Sequence, residues 1–295
     1  MLHSKTGQTF LSTEHVNLWN GVIGHLWNRL EVFNEPPLSK DPLLLVSVST
    51  SIPQYRILYS QARELADFLI GKVDFSLFAS MYSSAMPPAV RIAEDGIAEL
   101  AKVNFYHHQG KRDIVLFAGY SSPASDEYEY AHEVLAYAKK LGIKELVSIG
   151  PRWTEQPISP FDSPKVYGFA SDLDGTRFLE ANSISLQKNE PAFYFSNVIV
   201  GMAPLFGLRG YKLSVNHGEP APHPKASISF LNVLSKFGFD VDTADLAAEA
   251  KELDEGLRKA GVSGMGEGTV MTDDEDRDEG DDYPGGTQGG EDIYR

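Results

Sequence analysis

Apolar residues follow two rhythms along this chain. Short continuous apolar runs alternate with stretches in which apolar side chains return every third or fourth position, and from residue 35 to residue 260 that alternation predicts one α/β domain. PLLLVSV, from Pro42, reads as a buried strand, and QYRILYSQARELADFLI as a helix with Leu58, Ala62, Leu65 and Leu69 on its inner face and Gly71 at its end. KVDFSLF reads as a second strand, and AVRI with IAELAKV as a hairpin turning through Glu94, Asp95 and Gly96. DIVLFAG is a central strand, followed by the helix DEYEYAHEVLAYAKKLG, which turns Tyr130, Val134, Tyr137 and Leu141 inward before Gly142 stops it. KELVSIG, KVYGFAS and YKLSV are further strands. SNVIVGMAPLFGLRG reads as a Gly-punctuated helix or loop, and KASISFLNVLSKFG as a helix opened by Pro222 and Pro224.

Different patterns flank this body. In residues 1–34, EHVNLWNGVIGHLWNRLEVF places Leu18, Trp19, Val22, Ile23, Leu26, Trp27 and Leu30 on one helical face, predicting an amphipathic helix packed on the body or on a sister subunit. Its polar face lacks the Lys and Arg that hold a helix at a membrane surface. The last helix, TADLAAEAKELDEGLRKAG, lines up Leu246, Ala250, Leu253 and Leu257 as a seam for its own domain or for another subunit. Beyond it the composition changes: residues 261–295 include nine glycines and few apolar side chains, so burial cannot offset the entropy of ordering, and this segment is expected to be a disordered acidic tail.

Charge separates the tail from the body. The 295-residue chain has a net charge of -15, of which residues 261–295 carry -9. The body is thus only mildly acidic and lacks the clustered Lys and Arg that nucleic acid or an anionic membrane requires. There is no cysteine, which excludes disulfides, thiolate metal sites and thiol nucleophiles. No stretch has the apolar length of a membrane span, and the start has no signal-peptide pattern, so a cytoplasmic location is expected.

One string tempts a catalytic reading. Asp172, Asp174, Gly175 and Thr176 spell D-x-D-G-T after a predicted strand, which looks like the first motif of haloacid-dehalogenase phosphatases, with one Asp as nucleophile and the other as general acid beside magnesium. The competing reading makes Asp172 to Gly175 a turn that caps the helix TRFLEAN. The context favours the turn, because no acidic pair follows on a later strand and Ser171 interrupts the apolar run. His107 and His108 are adjacent and read as a solvated loop; no metal-ligand spacing appears. Ser121 and Ser122 lack a complete G-x-S-x-G, and Gly201, Gly207 and Gly210 fit no dinucleotide or P-loop spacing. Neither cofactor nor metal is expected.

The order of several segments carries a resemblance. RDIVLFAGYSSPASDEYEYAHEVLAYAKKLGIKELVSIG, KVYGFASD, GMAPLFGLRG and GEPAPHPKASISFLNVLSKFGFDVDTADLAAEAKELDE together resemble the proteasome assembly chaperone family across residues 36–258. Where relatives usually have glycines after the first strand, this chain has STSIPQYR. The resemblance implies a nucleoside-phosphorylase-like α/β fold, a mixed sheet flanked by helices, in an archaeal-type homo-oligomer without catalysis that binds proteasome α subunits. Several members end in a hydrophobic-Tyr-any residue motif, which Ile293, Tyr294 and Arg295 match. Such an ending has its own physical logic: a terminal carboxylate can be recognised by a single Lys in a pocket, Tyr294 adds a ring with a hydroxyl, and Ile293 an apolar anchor. A flexible leash of about 30 residues spans roughly 30 Å. Several copies on one ring would add avidity. The expected function is proteasome assembly through this plug; an ATP-independent regulator of the mature core is the alternative, and the phosphatase is a third reading.

Overall fold

The computed structural model describes residues 9–19, 22–38, 41–48, 50–52, 57–59, 61–88, 90–119, 122–152, 159, 161–216 and 224–261. In chain order the elements begin with strands β1 (Thr9–Trp19), β2 (Val22–Val32), β3 (Leu43–Val48), β4 (Thr50–Ile52) and β5 (Ile57–Tyr59), followed by helix α1 (Gln61–Lys72). Next come β6 (Ser76–Ser83), β7 (Val90–Ile92), β8 (Ala98–Leu100), β9 (Val103–His108), β10 (Ile114–Gly119), α2 (Glu127–Lys140), β11 (Glu145–Arg152) and β12 (Val166–Ala170). The chain continues through α3 (Leu173–Ala181), β13 (Ser185–Leu186), α4 (Phe195–Met202), a 3₁₀ turn (Ala203–Phe206), β14 (Arg209–Asn216), α5 (Pro224–Leu234), a second 3₁₀ turn (Ser235–Phe237) and α6 (Ala244–Lys259).

Among the described residues ten strands form one mixed sheet in the order β1-β2-β6-β9-β10-β3-β11-β14-β12-β13. Its middle, β10-β3-β11-β14, is parallel, and the flanking pairs β9–β10 and β14–β12 are antiparallel. Every side chain of β3 is buried, as a parallel strand covered on both faces requires. Leu44, Val46, Val115, Phe117 and Leu146 join one apolar cluster with α2 and α4. Leu43, Leu45, Ile114, Leu116 and Val147 join the other, with residues of α1, α3, α5 and α6. Each fully buried Leu here contributes about 1.5–3 kcal/mol through removal from water.

The helices follow their patterns. In α2 the buried residues are Tyr130, Ala131, Val134, Leu135, Tyr137 and Ala138, and the helix ends where Gly142 takes φ 77, a left-handed conformation that an L side chain rarely adopts. SNVIVGMAPLFGLRG resolves into α4 and its 3₁₀ turn, ended by Pro204 and Gly207. The hairpin around Gly96 is present as β7 and β8. Leu246 and Ala250 of α6 are buried in its own domain, while Leu253 and Leu257 are half-buried.

Four expectations are corrected. The amphipathic helix proposed within residues 1–34 is instead the hairpin β1–β2, paired without a slip from Thr9↔Val32 to Trp19↔Val22. β2 also bonds to β6, so its backbone finds partners at the main sheet, and exposure alternates through exposed Trp27, buried Asn28 and exposed Arg29. The apolar positions suit either period, and strand pairing decides between them. Second, α1 starts at Gln61 because Ile57–Tyr59, rich in strand-favouring residues, pairs with β4; Leu58 therefore belongs to a strand. Third, α1 runs through Gly71 to Lys72, which delays the next strand to Ser76. Fourth, His107 and His108 lie in β9 rather than in a loop.

α4 comes down closely on β14 because Gly210 has no side chain: a Cβ there would sit 2.8 Å from the Val200 carbonyl oxygen and 3.1 Å from the Ala203 Cβ. Gly210→Ala is expected to lower stability by about 1–3 kcal/mol through overpacking, read as a reduced urea midpoint at an unchanged denaturant slope.

Candidate functional site

The two ends of the parallel block carry different chemistry. At the amino end, where β10, β11 and β14 start, charges are paired. Arg112 lies 2.7 Å from Glu145 and 3.4 Å from Asp41, and it also donates to the Phe237 carbonyl. Arg209 grips Asp172 through two contacts of 2.8 and 3.0 Å and reaches Asp174 at 3.4 Å. Asp172 is the N-cap of α3 and accepts the Gly175 N–H at 2.6 Å. Partial burial opposes ionisation of Asp172, but the Arg209 hydrogen bonds and the Gly175 N–H outweigh it and hold the carboxyl below its usual range. The D-x-D-G-T string is thus an N-cap locked to a guanidinium, followed by the first turn of α3, which starts at Leu173 and so replaces the expected turn through Gly175; the nucleophile position of the phosphatase reading is already engaged.

The histidines also have structural surroundings. His107 Nε2 lies 3.8 Å from Asp113, and burial moves its pKa down although Asp113 opposes this. His108 Nδ1 lies 3.2 Å from the Asp74 carbonyl. No cluster of three or more metal-ligating side chains occurs among the described residues, and no helix there is long and apolar enough to cross a membrane. Beside α2 a cavity of about 190 Å³ is lined by Leu30, Met81 and Phe105 together with Asn28 and Tyr137, whose buried amide and hydroxyl lack hydrogen-bond partners among the described residues.

The most unusual group starts midway along the block and turns its amine toward the carboxyl side. β14 alternates Tyr211, Leu213 and Val215 toward one apolar cluster, so Lys212 and Ser214 turn to the opposite face, beneath α4. Lys212 pairs across the sheet with Ser148, and Ser214 with Gly150. Lys212 is fully buried, and its Nζ has no hydrogen-bond partner among the described residues. A Cβ on Gly150 would collide with that Nζ and lie 3.2 Å from Ser196 Oγ, which places the amine beside the second residue of α4. Ser148 Oγ ties this helix end to the sheet by donating to the Ser196 carbonyl at 2.7 Å. Tyr194, just before α4, has φ 75 and ψ 156, a region costly for any residue but glycine, by about 1–3 kcal/mol. Burial drives the Lys212 pKa down to about 7.

The sequence pattern offered YKLSV only as a strand. A lysine at its second position would ordinarily mark a solvent face, and only the topology, with helices over both faces, reveals it as buried. The expected docking residues Ile293, Tyr294 and Arg295, and the tail 261–295 apart from Gly261, lie outside the described residues.

This architecture defines the class. The sequence profile of the PAC2 family matches residues 61–260, and the chain belongs to that family. Among solved structures it is similar to PbaB of Pyrococcus furiosus, described as an archaeal proteasome activator, at 21% identity over 80% of this chain and 99% of that one, with a TM-score of 0.67. Pyrococcus furiosus PbaA, described as an archaeal homologue of proteasome-assembly chaperone, gives 22% identity, 79% and 96% coverage and a TM-score of 0.60. A Mycobacterium tuberculosis proteasome-assembly chaperone homologue gives 16% identity, 79% and 97% coverage and a TM-score of 0.60. At such identities the likeness carries the fold: a large mixed sheet flanked by helices. No curated protein sequence matches the chain.

A lysine that is neutral when folded makes stability depend on pH with a definite sign. Its folded pKa, about 7, lies below the 10.5 of a solvated lysine, so between those values the unfolded chain binds the extra proton and stability rises with pH. Below about 7 both states are protonated and this contribution levels off. From pH 7 to 9 the unfolding free energy should gain about 2–3 kcal/mol from this group. Urea titrations of Lys212→Met are expected to lose that slope; a slope equal to wild type would show the amine to be charged or solvated.

Proposed function

We propose that this protein is a non-enzymatic proteasome-binding factor that assists core-particle assembly by engaging α subunits. The supporting observation is its PAC2 family membership over residues 61–260, together with a fold likeness that spans nearly the whole of PbaB and PbaA. In this reading the body, nucleoside-phosphorylase-like in type, is a scaffold in a cytoplasmic homo-oligomer of archaeal type. Ile293, Tyr294 and Arg295 dock into a basic crevice at the end of an acidic, glycine-rich leash. Regulation of the mature core is the second reading, and the likeness to PbaB, described as an activator, favours it.

A pulldown with separate free α subunits and finished core particle distinguishes the two. Preferential capture of free subunits supports assembly, and preferential capture of the particle supports regulation. Deleting residues 293–295 should reduce recovery at least tenfold if avidity is set by the plug. Equal recovery would remove the plug from the mechanism, and no recovery of either form by the full chain would remove the proteasome.

A further inference from the structure

We infer that Lys212, Gly150, Ser214 and the first turn of α4 form a binding site for a compact oxyanion, the phosphate or carboxylate group of a small ligand. Three independent features converge on it. The first is the orphaned amine: a buried polar group without a partner carries a cost that a bound anion would remove. The second is the helix end. α4 runs for eight residues from Phe195; Glu127 of α2 takes the Phe195 N–H, and the positive end of the helix dipole lies beside Lys212 through Ser196.

The third is the composition of the floor. Ser148, Gly150, Lys212 and Ser214 form a polar strip on a sheet face otherwise built from Leu44, Val46, Val115 and Phe117. Apolar side chains would fill that space at lower cost, whereas glycine at 150 leaves room for the amine. The strip starts midway along β11 and β14, at Ser148 and Lys212, and runs toward their carboxyl ends, the side on which open α/β sheets commonly place ligands. Lys212 is fully buried and Ser196 keeps 5% of its surface exposed, so the group is shielded from bulk water.

The surrounding charge sets the conditions. No residue from Phe195 to Met202 is charged, and β14 turns no other ionisable side chain toward this face between Lys212 and Val215. From α2, Glu127 meets the Phe195 N–H, and burial raises its pKa while that hydrogen bond opposes the rise. A neutral amine holds an anion far less strongly than an ammonium does, so an incoming anion must draw a proton onto Lys212. Anion binding and protonation of one amine are thermodynamically linked at this site.

The test uses the full-length chain, titrated calorimetrically at pH 8 with inorganic phosphate and, separately, with acetate. Repeating each titration in buffers of different ionisation enthalpy counts protons. The expected result is saturable millimolar or tighter binding of at least one anion, with uptake approaching one proton and at least tenfold weakening in Lys212→Met. Which anion binds assigns the ligand class. Should that variant not fold, lysine-selective ¹⁵N spectra of the wild-type chain decide: the low-pKa amine must shift upward on saturation. Absence of binding by either anion at 10 mM (roughly the weak edge of useful affinity), binding without proton uptake, or an unmoved amine would overturn the site. None of these readouts involves the proteasome, so the outcome is independent of the proposed function.

Discussion

The position of β3 constrains everything around it. It is hydrogen-bonded to parallel neighbours on both edges and covered by helices on both faces, so none of its side chains reaches water. A strand in that position must be apolar throughout, and LLLVSV nearly is; its one hydroxyl, Ser47, donates to the Ala62 carbonyl at the start of α1. The parallel crossovers then require helices that return from the carboxyl edge to the amino edge. α4 runs the same way although it follows β13, which is antiparallel to β14: Ser196 lies beside Gly150, and Val200 and Ala203 lie beside Gly210, so its positive end faces the carboxyl side of the block. The direction of the central strands thus determines where helix dipoles gather.

The same constraint explains why the sheet has one quiet end and one unsettled end. At the amino end Arg112 and Arg209 each hold carboxylates, and their planar geometry lets one guanidinium bind several acceptors. Asp172 is simultaneously a cap and an ion-pair partner, so its charge is fully used by the fold. At the carboxyl end the corresponding polar group is a buried amine facing small residues and a helix N-terminus. The amine and the helix end both favour an anion; Glu127 meets the first N–H of the helix, while the Lys212 amine has no hydrogen-bond partner among the described residues.

How far the sequence could be read depended on whether a position's environment was local. The apolar run of β3 and the three-to-four spacing of α2, stopped by Gly142, are local signals, and both elements lie where the pattern puts them. The Asp172 cap was legible for the same reason, since a capping side chain needs only the next three residues. β1 and β2 were not, because Leu18, Trp19, Val22, Ile23, Leu26, Trp27 and Leu30 satisfy a helical stripe. The competing cue was the Asn20–Gly21 dipeptide between two apolar segments, a strong hairpin signal that the longer stripe obscured. Lys212 was illegible for a third reason. Alternation within YKLSV states which residues share a face, but which face is solvent is a property of the whole topology.

That last point bears on how the lysine should be understood. Substituting an apolar residue of similar size for an unpaired buried amine is expected to stabilise a protein, since no ion pair is lost and a desolvation cost disappears. A fold optimised for stability alone would therefore place a Met or Leu at 212 and a larger residue at 150. Instead the strip combines an amine, a glycine that admits it, and two serines, of which Ser148 ties α4 to the sheet. Strain adds to the cost through the positive φ of Tyr194 at the entrance to the same helix. Two separate penalties at one helix end, set against a well-paired amino edge, fit the demands of a preorganised binding site better than those of a stable core.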